Sequence, residues 1–159
     1  MDRQLQVALV GCGGISRAHL PNIMGTPQMR LVATMDISVD AARSLAEQAE
    51  ADYYTTDLDR VLEDDAVDAV LVCATHDTHT EIAIRACQAG KHVFAEKPLA
   101  MTMEEARRVQ SAVHESGIHL TSGWWFKHSP VTKRLREVIT QPNLVLFTCR
   151  LPSPSFADP

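Results

Sequence analysis

A glycine-rich turn, Gly11-Cys12-Gly13-Gly14-Ile15-Ser16, directly follows an apolar run from Leu5 to Val10 and could bind a phosphate through its backbone. Gly11 and Gly13 fill the first two positions of a G-x-G-x-x-G spacing, and Ser16 stands at the third. That chemistry needs a tight turn, then a backbone that a pyrophosphate can approach, then a small residue where helix packs on strand. Serine is small enough. The helix that follows points free N–H groups and its positive dipole end at the anion. The whole loop, Gly14 and Ile15 included, is the candidate pyrophosphate site. Asp36 ends the second apolar run, 23 residues after Gly13, where a carboxylate accepts hydrogen bonds from ribose hydroxyls. Ile37 and Ser38 come next, so no cation directly follows to hold a 2′-phosphate, which the Asp36 carboxylate would repel. NAD is the expected cofactor, with NADP disfavoured.

Two later turns carry further candidates: Cys73-Ala74-Thr75-His76-Asp77-Thr78-His79 and Phe94-Ala95-Glu96-Lys97-Pro98-Leu99. Ligands of open α/β sheets lie beyond the carboxyl ends of the strands. Ala74, Thr75, His76 and His79 from the first turn, and Glu96, Lys97 and Pro98 from the second, are therefore expected to face one cofactor. The Lys97–Pro98 amide can be cis, because an X-Pro bond loses little by it. His76, Asp77 and His79 offer metal-ligating types within four residues, but no further ligand cluster accompanies them, and no metal is expected. Cys12 lies near a helix N-terminus, which can activate a thiol, yet neither a base nor a second cysteine is close in sequence. It is expected to be a spectator. Trp124 and Trp125 could line the cofactor cleft, with packing the favoured reading.

The elements that must position these residues alternate. Strand-like runs are Leu5 to Val10, Leu31 to Met35, Ala69 to Cys73, His92 to Ala95 and His119 to Ser122. Between them, Ser38 to Glu50, Thr78 to Ala89 and Thr102 to Ser116 space their apolar residues as helices do. Thr102 and Glu105 have capping-box spacing, and Gly90 and Gly117 stand where helices end. A short strand at Tyr53-Tyr54 and a short helix over Leu58 to Leu62 complete the series. Strands such as Val7-Ala8-Leu9-Val10 lack polar alternation, which fits a parallel sheet covered on both faces. The expected fold is α/β, a doubly wound parallel sheet of the Rossmann type.

Composition bounds the rest. The 159 residues suit one core, and 45% hydrophobic with 22% charged residues is ordinary for a soluble domain. A formal charge of −5 with no basic block argues against nucleic acid, and no apolar run reaches membrane-spanning length. Cys12, Cys73, Cys87 and Cys149 are far apart, without a C-x-x-C pair, and the start of the chain has no signal-peptide pattern. A cytoplasmic protein with reduced thiols is expected.

Together, the Gly11 to Ser16 loop, Thr75 to His79, Ala89-Gly90-Lys91-His92-Val93 and Glu96-Lys97-Pro98-Leu99 resemble the Gfo/Idh/MocA family (glucose–fructose oxidoreductase, inositol dehydrogenase, rhizopine catabolism protein) from about Leu5 to Arg150. The resemblance places Lys97 beside the nicotinamide and the substrate hydroxyl as the catalytic lysine, and has Glu96 position the nicotinamide riboside. A lysine there can hydrogen-bond or polarise the hydroxyl that loses its proton as hydride departs. His79 matches the family histidine. His76 departs from the usual proline or asparagine, and Lys127 and His128 replace an arginine and an aromatic.

The resemblance implies an NAD(P)-dependent dehydrogenase acting on a small molecule, a sugar, polyol or similar secondary alcohol. It further implies a second α/β domain that brings an aspartate and a histidine to the substrate. The expected organisation is a dinucleotide-binding domain over 1–143 and the start of a crossover over 144–159, with the second domain absent and the chain inactive alone. Val145, Phe147, Cys149 and Leu151 alternate on one face, so this segment is expected to fray or to pair with another copy in a homo-oligomer. The competing reading is a stand-alone NAD-binding module without catalysis.

Overall fold

The structure is a computed structural model that describes residues 3–124 and 128–139. The chain divides into two compact units, Met1–Trp124 and Trp125–Pro159. In the first, β1 (Leu5–Val10), β2 (Met29–Met35), β3 (Tyr53–Thr55), β4 (Ala69–Val72), β5 (His92–Ala95) and β6 (Leu120–Ser122) form one sheet. All five pairings are parallel, in the order β3-β2-β1-β4-β5-β6. The order reverses between β1 and β4, which makes the carboxyl ends of these two strands the switch point where such sheets open a crevice.

Helices α1 (Gly14–Met24), α2 (Val39–Ala49), α3 (Leu58–Leu62), α4 (His79–Gln88) and α5 (Met103–Ser116) make the crossovers. The central strands β1, β2 and β4 bury both faces, as their unalternating sequences require. Val7 and Leu9 join Leu20, Ile23, Leu31 and Leu45 on one side of the sheet. Val10, Val70, Val72 and Val93 join Ile82, Val109 and Ile118 on the other. Burying one such side chain contributes about 1.5–3 kcal/mol, so two continuous layers fix the positions of the strand ends. Among the described residues, no helix is long and apolar enough to cross a membrane.

Local chemistry sets the helix ends. The Ser38 hydroxyl accepts from the Ala41 N–H at the start of α2. Thr102 and Glu105 form the reciprocal capping box of α5, which stops at Gly117 in the left-handed region, φ +69°. Two elements differ from the sequence reading by more than one residue at an end. β2 starts at Met29 rather than Leu31, because Arg30 continues the strand while its guanidinium reaches outward to Asp52 at 2.7 Å. In the second unit, α6 (Pro130–Val138) starts with Pro130 in its first turn, where a missing N–H costs nothing. This helix had no counterpart in the sequence reading. The anticipated crossover, 144–159 with Val145, Phe147, Cys149 and Leu151, lies outside the described residues, as do Trp125 and Lys127.

Candidate active site

The glycine loop is built from the end of β1. Gly11 has φ +93°, and a Cβ there would lie 2.4 Å from the Ala74 nitrogen and 2.5 Å from the Cys73 carbonyl carbon. Only glycine fits, since the loops after β1 and β4 touch backbone to backbone at this point. The Gly11 N–H donates to the Met35 carbonyl at 2.8 Å, and the Cys12 N–H donates to Asp36 Oδ2 at 2.7 Å. Asp36 Oδ1 accepts from the Ser38 N–H at 2.8 Å. The partly buried Asp36 carboxylate thus ties the loops after β1 and β2 together while sitting at the lip of the cleft.

Gly13 and Gly14 are exposed, and nothing lies within 4 Å of a Cβ built on either. Gly13 is the N-cap of α1 and supplies no side chain to its first N–H groups, and no acidic residue occupies that turn. The start of α1 is therefore an uncapped, positively polarised end with space in front of it, which suits an anion. Ser16 is fully buried, and its hydroxyl donates to the Gly13 carbonyl at 2.5 Å. A hydroxyl here fills the third motif position and braces the turn from inside. Ile15 is 43% exposed on the same first turn.

In front of this loop lies a cleft of about 520 Å³. Gly11, Gly13, Asp36 and Ile37 wall one side, and Ala74, Thr75 and Asp77 another. Sequence reasoning missed the contributors from the helices, Leu58 of α3 and Glu81, Ile82 and Arg85 of α4, because none lies at a strand end. Arg85 pairs with Asp59 across the cleft rim.

The two histidines of the β4 turn part company. His76 is exposed. His79 is 1% exposed, with Nδ1 2.8 Å from the Pro98 carbonyl and Nε2 2.8 Å from the Ala74 carbonyl. Both ring nitrogens are engaged by main chain, so the side chain ties the two candidate turns together from below rather than projecting into the cleft. Pro98 follows a cis peptide bond.

The Glu96 side chain is also buried. Oε1 lies 2.8 Å from His19 Nε2, and Oε2 accepts from the Lys97 N–H at 3.1 Å. The Lys97 side chain is exposed, so the first unit does not itself desolvate it. Trp124 is 58% exposed and takes no part in the core. The Cys12 thiol is pushed up to about 12, chiefly by burial and then by the Asp36 charge, despite its place beside a helix N-terminus.

The comparisons with known proteins agree with this geometry. The Gfo/Idh/MocA model, described as "Oxidoreductase family, NAD-binding Rossmann fold", matches residues 5–123. The myo-inositol 2-dehydrogenase of Thermotoga maritima is 29% identical over 159 residues, 97% of this chain and 48% of that protein. The crystal structure of GenD2 from gentamicin A biosynthesis, in complex with NAD, superposes with a TM-score of 0.82 at 34% identity, over 88% of this chain and 40% of that one. That of KijD10, a 3-ketoreductase from Actinomadura kijaniata in complex with NADP, gives 0.80 at 30% identity, over 86% of this chain and 44% of that one. The chain spans about half the length of the curated relatives it matches. By the extent of the matching segment, by the sheet order and by the glycine loop at its switch point, the chain belongs to the Gfo/Idh/MocA oxidoreductase family and carries its NAD-binding Rossmann fold.

Proposed function

We propose that this chain binds NAD in the switch-point cleft, as the cofactor domain of a dehydrogenase that oxidises a secondary hydroxyl of a sugar or polyol. The observation that carries the reading is the uncapped start of α1 beside a glycine loop whose backbone is locked to Met35 and Asp36. Gly13, Gly14, Ile15 and Ser16 offer the pyrophosphate their backbone. Asp36 faces the adenosine ribose, and Ala74, Thr75 and His76 line the path onward. The nicotinamide ring supplies the hydride acceptor. Lys97 hydrogen-bonds the substrate hydroxyl and stabilises the oxygen as its proton passes to solvent water. His79, Glu96 and Pro98 act on the cofactor through the turns they shape. Relatives that are inositol 2-dehydrogenases and a 3-ketoreductase support the substrate class.

NAD is favoured over NADP because the Asp36 carboxylate repels a 2′-phosphate and no lysine or arginine stands at position 37 or 38. Both cofactors occur among the structural relatives, so the discrimination rests on this chain's own residues. Asp36→Asn keeps an oxygen to accept one backbone N–H and removes the charge. The ratio of NAD to NADP affinity, measured by calorimetry in both proteins, is expected to fall by about tenfold, the size of one charged contact. An unchanged ratio would show that Asp36 does not choose the cofactor.

A further inference from the structure

The Glu96 carboxylate stands where three elements meet, and each has adapted to it. From α1, His19 Nε2 approaches Oε1 at 2.8 Å, with the His19 ring set edge-on to Phe94 at 5.7 Å between centroids. From the turn after β5, the Lys97 N–H donates to Oε2 at 3.1 Å. From the end of β6, Gly123 leaves room, since a Cβ there would come within 2.9 Å of Oε1. Glu96 is 8% exposed, and each of its oxygens has a protein partner.

A buried carboxylate with two partners holds its geometry far better than an exposed one, because leaving either partner unpaired costs the full desolvation of that group. Here the partners join two working parts. His19 is on the helix whose N-terminus faces the pyrophosphate site, and Lys97 is the residue given the substrate hydroxyl above. We propose that His19 is a positioning residue for Lys97, acting through Glu96 to fix the lysine turn relative to the phosphate-binding helix. This rests on the reading of Lys97 under the proposed function. His19 touches neither cofactor nor substrate, and Glu96 serves as an internal brace between the helix and the turn.

His19→Phe keeps a ring against Phe94 but removes the nitrogen. His19→Gln restores a donor of similar reach. Two readouts are taken on the full chain: exchange of the Lys97 amide by NMR without ligand, and the affinities for NAD and for ADP-ribose, which lacks the nicotinamide. His19→Phe is expected to speed exchange at Lys97 and to weaken NAD about fivefold while leaving ADP-ribose within about twofold. His19→Gln is expected to recover most of both effects. A Lys97 amide indifferent to His19→Phe overturns the proposal, as does an equal loss of both nucleotides, which would mark a merely structural histidine. If the parent binds neither nucleotide, the cofactor reading fails, and the amide of Lys97 alone decides whether His19 positions the turn.

Discussion

Cys12 lies inside the glycine loop beside a helix end, which can activate a thiol, yet its burial favours the protonated form. Burial dominates over the helix end, the neighbouring Asp36 adds to it, and the thiol rises to about 12. Cys73, buried beside Glu96, rises to about 12 as well. The linkage has a definite sign. Both groups are held protonated in the folded state above their ordinary value of 9.0, so unfolding lets them ionise. Their contribution to stability is complete below about pH 9 and is lost as pH rises toward 12, by at most roughly 1.4 kcal/mol per thiol per pH unit. Denaturant midpoints measured from about pH 8 to 11 should fall steeply above 9. The Cys12→Ala/Cys73→Ala double variant should show a shallower fall, and an equal slope in both proteins would mean that other groups cause the alkaline loss. The sequence had marked Cys12 as a spectator for want of a base nearby; the physical cause, burial, became visible only in the fold.

At the scale of elements, the sheet was legible because five of its strands are apolar runs bounded by turn residues. The start of β2 was not, since Arg30 interrupts the run while its backbone stays in register with Gln6. The glycine loop and Asp36 were legible for a similar reason: their spacing follows from one strand, one turn and the next strand. His79 and His19 were not. A polar residue in the first turn of a helix reads as surface, and only the meeting of the turns after β4 and β5 shows that His79 is enclosed. His19 stands beside Leu20 in an ordinary helical pattern, and nothing local announces a partner 77 residues away. Where β1 and β4 deliver their loops, the close approach at Gly11 yields a sharp expectation. Gly11→Ala places a Cβ against the Ala74 backbone at positive φ, and strain plus overpacking should cost roughly 2–5 kcal/mol. Thermal or urea unfolding measures this, and a loss below about 1 kcal/mol would show that the two loops can separate freely.

For the whole molecule, the switch-point cleft is, under the proposed function, one wall of a catalytic site; Lys97 is exposed and outside the cleft lining, and among the described residues of the first unit nothing encloses a substrate. Hydride transfer needs the reacting carbon held in near-attack geometry with water excluded. The chain as it stands is therefore expected to give no NADH above background with a panel of polyols and sugars. Robust turnover abolished by Lys97→Ala would show instead that these 159 residues suffice.

Binding comes before turnover, and the cofactor site itself rests on the glycine loop. Gly13 has open space around it and φ −81°, which valine can adopt, so Gly13→Val should keep the fold, at a cap cost of about 1 kcal/mol. The same side chain stands where a pyrophosphate would meet the start of α1. Calorimetric titration of NAD into the parent and into folded Gly13→Val is the most direct test. Saturable binding by the parent, weakened about 10–100-fold in the variant as one or two N–H contacts to the anion are lost, is the predicted result. Equal affinity in both proteins would contradict the assignment of this loop to the pyrophosphate, and no binding by the parent would contradict the cofactor site altogether.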